Sequence, residues 1–394
     1  MAKTLTGKTN ITHKSYLKEE HHIFRKAFAK FLEKEAAPFI EKWEEDRSVP
    51  LTFLKKMGEQ GYLCPWVSEE YGGLNADFGY SVVINEELNK LGLGAGGASG
   101  LHSDIVMPYI ESYGTEEQKK RWLPGAVSGE IISGVAMTEP GTGSDLASIK
   151  TTAVRKGDYF VINGEKTFIS NGIVGNLFVV ACKTDPHAVP GYKGISLIVV
   201  EEGTPGFKRG KKLKKIGLHS QDTAELIFED AIVPVENLLG DENKGFYYLM
   251  SKLQQERLLV SISAIIGAER MLEITLDYVK ERKAFGKSIS SFQNTQFKLA
   301  ELATEIQIGR TFLDNVIEKH IAKENIITEM SMAKWWTTAL AKKTASECMQ
   351  LHGGYGYMEE YEIARWYRDV AVLSIFAGTN EIMKGIIANN LGLN

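Results

Sequence analysis

The chain has 394 residues, and at roughly 100–200 residues per domain this is enough for two or three domains with sizeable cores. Hydrophobic residues make up 43% and charged residues 24%, an ordinary globular composition that gives no reason to expect disorder, and the net charge of -4 argues against a general nucleic-acid binder, which needs a basic face. The three cysteines, Cys64, Cys182 and Cys348, form no CxxC pair and no disulfide framework, as expected of a reducing cytoplasm. Residues 1–10 lack the apolar run of a signal peptide, and no apolar stretch reaches the length of a membrane span.

The first third reads as helical. Residues 16–43 are rich in Lys, Glu, Ala, Phe and Leu with apolar positions at helical spacing, and 51–60, 80–91 and 116–128 look similar. Residues 91–100 are Gly-rich and read as a loop. Residues 101–113 read as a helix bent by Pro108, which removes a backbone donor. The middle third carries short β-branched or aromatic runs at 131–137, 159–163, 166–170, 177–182, 195–200 and 224–228, separated by Gly, Asn, Asp and Pro. Short strands at this spacing suggest a small sandwich or barrel, and the lack of interleaved helices argues against a doubly wound dinucleotide fold. From Lys244 the chain is helical again. Leu299, Leu302, Ile306 and Leu313 share one helix face suited to a bundle seam, and further helices are expected at 328–352 and 379–389. The expected organisation is an N-terminal α-helical domain (1–132), a middle β domain (133–241) and a C-terminal helical bundle (242–394).

Five segments carry chemistry when taken together. Ala136-Met-Thr-Glu-Pro-Gly-Thr-Gly-Ser-Asp145 ends a predicted strand with close glycines, which let backbone N–H groups approach an anion. Asn163-Gly-Glu-Lys-Thr-Phe-Ile-Ser-Asn-Gly172 places Phe168 and Ser170 on one face of a strand, a ring for stacking and a hydroxyl for hydrogen bonding. Alone, each reads as an ordinary turn or hairpin. The other three are Glu281-Arg-Lys-Ala-Phe-Gly-Lys287 with Gln293, Gln350-Leu-His-Gly-Gly354 and Gly378-Thr-Asn-Glu381.

In order and spacing these five segments resemble the signatures of the acyl-CoA dehydrogenase family, and phrases such as Gly245-Phe-Tyr-Tyr-Leu-Met and Gln255-Glu-Arg-Leu-Leu look closest to its long-chain branch. The resemblance covers nearly the whole chain. It implies a mixed α and β fold with a C-terminal four-helix bundle, and non-covalently bound FAD. Met137, Thr138, Gly143, Ser144, Phe168, Ile169 and Ser170 would hold FAD, with Phe168 standing where the family often has Trp. Arg282, Phe285, Gln293, Gln350, Gly353 and Gly354 would grip the FAD of a neighbouring subunit, which implies a homotetramer. Thr379 and Glu381 would contact the chain's own FAD, and Ser144 and Arg257 the CoA portion of an acyl-CoA thioester. Electrons would pass to an electron-transferring flavoprotein or, alternatively, to oxygen.

The reaction implied needs a polarised thioester carbonyl and a carboxylate that takes the acidified proton. The usual base position, just before the Gly-Thr pair, is Ala377, whose backbone N–H can still meet the thioester oxygen. A second base position, read five residues after Arg257, is Ile262. Catalysis is then either lost or served by a moved base. Asp104, in Leu101-His-Ser-Asp-Ile-Val-Met-Pro108, stands where relatives carry a small or apolar residue, so it is the candidate base and substrate contact; the competing reading makes it a helix cap. A displaced base favours 1,4-dehydrogenation of a cyclic enoyl-CoA, cyclohex-1-ene-1-carboxyl-CoA to the 1,5-diene. The alternatives are a conventional medium- or long-chain dehydrogenase with an unrecognised base, and a flavin- or CoA-binding protein without turnover.

Other features read blandly. Gly92-Leu-Gly-Ala-Gly-Gly97 follows a helix rather than a strand, so the dinucleotide fingerprint context fails, and it is expected to be a flexible loop. The basic cluster Lys208, Arg209, Lys211, Lys212, Lys214 and Lys215 reads as a solvated face. His21 and His22 have no partners at metal-ligand spacing, and no metal site is expected.

Overall fold

The computed structural model of the chain describes residues 14–393; residues 1–10, read above for a targeting segment, lie outside them. Helices, then a β region, then helices follow in chain order. Two compact units result, one of Phe28–Ile84 and Gly94–Glu256, the other of the described residues up to Ala27, Asn85–Leu93 and everything from Arg257 onward.

The first unit holds the sheet. Its strands run in the order Phe207–Lys212, Thr223–Pro234, Tyr159–Ser170, Thr152–Lys156, Leu177–Lys183, Ile195–Glu201, Leu238–Leu239, mostly antiparallel. Ser133–Ala136 pairs in parallel with the start of Leu177–Lys183. Both faces of Leu177–Lys183 are buried, which explains its unbroken apolar run. One face packs with Phe160, Ile162, Ile169, Leu226 and Phe228; the other packs with Val106, Tyr109, Ile110 and Trp122 of the helices. The two short strands expected at 159–163 and 166–170 are one strand of 12 residues, with irregularities at Ile162/Gly164 and Lys166/Ile169. Each irregularity bends the strand and re-aims a side chain.

The second unit is helical. Ile327–His352 packs against Gln293–Ile321, Glu362–Asp369 and Asn380–Asn390. Leu299, Leu302, Ile306 and Leu313 are all buried, as their spacing requires. A cluster of charges is buried with them. Arg310 is 5% exposed and Glu86 1%, and they meet at 2.8 Å. Lys14 and Arg25 each reach Glu86 at 2.6 Å, and Glu269 takes the Arg310 Nε at 2.8 Å.

Three expectations need correction. The Gly-rich stretch is the helix Leu93–Gly100, not a loop. Its small residues allow close approach: a methyl at Gly94 would overlap the Ser220 Oγ, and one at Gly97 would sit 2.9 Å from the Gln221 side chain. Gly94→Ala should therefore destabilise the protein by about 1–3 kcal/mol, the usual cost of overpacking, measured by chemical denaturation at unchanged m-value. The helix expected over 16–43 stops at Glu35 and resumes as Ile40–Asp46, because Pro38 has no N–H to continue it. The bend expected at Pro108 is instead a π-helical turn, Leu101–Val106, closed by Met107 N–H donating to the His102 carbonyl. Proline at 108 leaves the Asp104 carbonyl without its helical donor, and Gln255 Nε2 supplies one at 2.6 Å.

The basic cluster sits on and after the edge strand Phe207–Lys212, where Lys208 pairs with Glu229 at 2.8 Å and Arg209 with Glu202 at 2.5 Å. Charge on an edge strand blocks pairing with other chains. The three cysteines are buried and unpaired. Among the described residues no helix is long and apolar enough to cross a membrane.

Candidate active site

In the sheet unit, the segment after Ala136 rests on a buried ion pair. Lys166 is fully buried, and its ammonium donates to the Met137 carbonyl at 3.0 Å and to Glu139 at 2.8 Å. Glu139 also accepts the N–H groups of Lys150 (2.6 Å) and Thr151 (2.9 Å). Burial opposes ionisation of Glu139, but the Lys166 charge and these donors together hold its carboxyl below the usual range. Thr167 N–H donates to the Thr138 carbonyl at 2.9 Å, so the loop is tied to the strand Tyr159–Ser170. Above this rigid base the chain opens: a methyl at Gly141 or Gly143 would touch nothing within 4 Å, and Gly143 and Ser144 are exposed.

Phe168 has φ of +60° and is 68% exposed. A bulky residue in the left-handed region, presenting a bare ring, marks strain retained for a contact. Ser170, two residues on, is half-buried, while the Ile169 side chain packs into the core and leaves only its main chain available. An exposed ring, a nearby hydroxyl and an open glycine loop fit a flat aromatic cofactor bearing phosphates.

In the helical unit, Arg282, Gln350, Gly353 and Gly354 line one groove of about 440 Å³ with Tyr278, His352, Tyr355 and Met358. Arg282 stacks over the Tyr355 ring at 5.4 Å. Gly353 has φ of +60°, and nothing lies within 4 Å of a methyl there or at Gly354. Phe285, expected with this group, is at the tip of the hairpin Lys283–Ala284/Lys287–Ser288 and is 94% exposed. Neither Phe285 nor Gln293 lines the groove.

The turn after Phe376 is held from its carbonyl side. Ala377 has φ of +52° and Gly378 +91°. Arg257 Nε donates to the Ala377 carbonyl at 3.2 Å, and Lys334 Nζ to the Gly378 carbonyl at 2.7 Å. The Ala377 N–H has no hydrogen-bond acceptor among the described residues, and Ala377 is only half-buried. It is a fixed, unused donor of the kind that stabilises an oxyanion. Thr379 caps the helix Asn380–Asn390, its Oγ1 accepting from Ile382 N–H at 3.3 Å, and Glu381 lies in the first helical turn. Arg257, expected on the CoA portion, is 6% exposed and committed to this turn.

Besides Glu139, buried carboxylates of the sheet unit include Asp104 and Glu256. Asp104 is 2% exposed and accepts the Ser81 hydroxyl at 2.7 Å. Glu256 is 5% exposed and accepts the Tyr109 hydroxyl at 2.9 Å. Glu256 immediately precedes Arg257 in the long helix Gly245–Glu281. Ile262, where the base was sought, is a wholly buried apolar side chain of that helix. Glu256 and Lys334 are the residues that sequence reasoning passed over. Lys334 carried a signal, a lysine between Ala333 and Trp335, whereas Glu256 sits among Gln254, Gln255 and Arg257 and carried none.

Comparison with known proteins agrees with these motifs. Models of the N-terminal, middle and C-terminal domains of acyl-CoA dehydrogenases match residues 18–130, 134–231 and 243–392. The chain is 46% identical over 383 residues to the long-chain specific acyl-CoA dehydrogenase of Rattus norvegicus mitochondria, covering 97% of this chain and 89% of the relative. A crystal structure of an acyl-CoA dehydrogenase from Geobacillus kaustophilus superposes with a TM-score of 0.95 at 66% identity, covering 95% of this chain and 99% of that one. A Bacillus anthracis acyl-CoA dehydrogenase crystallised with FAD is 33% identical at a TM-score of 0.89, covering 96% and 67% of the two chains. The chain belongs to the acyl-CoA dehydrogenase family, the FAD-dependent oxidoreductases that act on CH–CH groups of acyl-CoA thioesters.

Proposed function

We propose that this protein dehydrogenates straight-chain acyl-CoA thioesters of medium to long chain at the α,β bond, with Glu256 as the base. One observation carries the reading: a buried carboxylate occupies the residue next to Arg257, and Arg257 fixes the turn that presents the Ala377 N–H. That N–H would donate a hydrogen bond to the thioester oxygen as negative charge develops on it, and so acidify the α-proton. Glu256 would remove the proton, its second oxygen oriented by Tyr109. Similarity to long-chain specific enzymes supports the chain length.

Met137, Thr138, Gly143, Ser144, Phe168, Ile169 and Ser170 would hold FAD in the sheet unit, and Thr379 and Glu381 in the helical unit. When bound, FAD accepts the hydride from the β-carbon. Arg282, Gln350, Gly353 and Gly354 would grip the FAD of a neighbouring subunit of a homotetramer, together with Phe285 and Gln293. The electrons would leave to an electron-transferring flavoprotein in the cytoplasm.

A second reading keeps Asp104 as the base for 1,4-dehydrogenation of cyclohex-1-ene-1-carboxyl-CoA. Its support is the burial of Asp104 in a π-helical turn, a distortion enriched at functional sites. Solvent exchange separates the two. In D2O, wild type should exchange the α-proton of a non-oxidisable 3-thia acyl-CoA, and Glu256→Gln should not. No α-proton exchange in wild type, or unchanged exchange in Glu256→Gln, would remove Glu256 as the α-proton base and favour the reading with Asp104.

A further inference from the structure

We propose that Lys334 is a positioning residue for the thioester-binding turn, holding the Gly378 carbonyl and the Asn380 side chain so that the Ala377 N–H stays fixed and unpaired. The proposal rests on the reading that this N–H meets the thioester oxygen.

A lysine fully withdrawn from solvent is costly to bury, so its partners define what it does. Both hydrogen bonds of its ammonium go to the Gly378 turn and the helix start that follows it. Nζ donates to the Gly378 carbonyl at 2.7 Å and to Asn380 Oδ1 at 3.2 Å. Thr338 Oγ1 donates to the same Asn380 oxygen at 3.1 Å, and Asn380 Nδ2 returns a bond to the Trp335 carbonyl at 3.3 Å. The helix Ile327–His352 therefore grips the start of the helix Asn380–Asn390 through Lys334, Trp335 and Thr338. With Arg257 on the preceding carbonyl, two cations hold two consecutive peptide groups of the turn.

The turn requires such holding. Ala377 at φ +52° carries the strain of the left-handed region, and no helix or strand hydrogen bond sets its conformation. Charge-assisted bonds to the two carbonyls offset that strain. A hydrogen-bond donor contributes to catalysis only if it is already oriented when negative charge develops. Lys334 supplies that orientation without touching substrate.

The same contacts make the clamp sensitive to pH. Burial, with the neighbouring Arg257 charge, pushes the Lys334 ammonium down to about 8, and Glu381 opposes the shift. Arg257 on the long helix and Glu381 on the last helix are the charged groups acting on it. Above this pH the neutral amine still donates, but without charge assistance, so the turn is held more weakly.

The test uses flavin-loaded enzyme and 4-dimethylaminocinnamoyl-CoA, a thioester whose absorption shifts to the red when its carbonyl accepts hydrogen bonds. Wild type should bind the probe with a red shift. Lys334→Met, checked for flavin content and thermal unfolding, should bind it with affinity within about threefold but lose most of the shift. Flavin reduction by palmitoyl-CoA should fall by about 10²-fold, with little change in KM. Lys334→Arg, which keeps a cation, should recover part of both. Should Lys334→Met not fold, wild type alone decides: its red shift should decline as pH rises through about 8. A full red shift in Lys334→Met, or one that is constant across that pH in wild type, overturns the role of Lys334. No red shift in wild type at neutral pH overturns the underlying reading of Ala377, and this proposal with it.

Discussion

Glu256→Gln should lower the rate of palmitoyl-CoA dehydrogenation by about 10²–10⁴-fold, the contribution of a positioned general base. KM should change little, because the amide fills the same space and still accepts the Tyr109 hydroxyl. Such a loss of kcat at constant KM identifies an interaction made in the transition state rather than in ground-state binding. Asp104→Asn should cost less than about tenfold, since Glu256 rather than Asp104 removes the proton and the amide still accepts the Ser81 hydroxyl. Stopped-flow flavin reduction by the two variants checks both statements. A reversed order of effects would favour Asp104.

Glu86→Gln should destabilise the protein by about 3–5 kcal/mol, measured by chemical denaturation, because it removes the buried carboxylate that Lys14, Arg25 and Arg310 share, leaving, among the described residues, Arg310 only Glu269 and Asp314 and Arg25 only Glu87. Lys14, Arg25 and Arg310 all reach the Glu86 carboxylate, which is 1% exposed. Burial alone would raise the Glu86 pKa, but the charges of Lys14, Arg310 and Arg25 outweigh it and hold the pKa well below 4.5. Since the folded pKa lies below the unfolded one, this stabilisation is fully present above about pH 4.5 and is lost as pH falls toward the folded value. Wild-type stability should therefore drop on acidification more steeply than that of Glu86→Gln. Equal acid sensitivity of the two would show that Glu86 does not carry the effect.

Much of this was legible in the sequence where residue type and local geometry agree. The glycines and hydroxyls between Ala136 and Asp145 read as a loop open to an anion, and the structure leaves Gly141 and Gly143 clear. The apolar run at 177–182 read as a strand, and it is one, buried on both faces. The Gly-rich helix Leu93–Gly100 was misread because glycine propensity favours a loop, whereas the close approach of Ser220 and Gln221 selects small side chains. The strand Phe207–Lys212 was hidden by its own charges, which suit an edge. Glu256 was missed for a different reason. The helix around it is buried on nearly all sides from Glu256 to Ile262, so no polar face separates a working carboxylate from its surroundings. Lys334, fully buried in a run with Met330, Ala333 and Trp335 nearby, is concealed in the same way: a lysine on a helix reads as solvated until its partners are known.

The most direct measurement of the central claim is anaerobic bleaching of the enzyme's flavin on mixing with palmitoyl-CoA and, separately, with cyclohex-1-ene-1-carboxyl-CoA. Glu256 as an α-proton base requires fast bleaching by palmitoyl-CoA, abolished in Glu256→Gln and retained in Asp104→Asn. Bleaching by the cyclic ene alone, lost in Asp104→Asn, would contradict it.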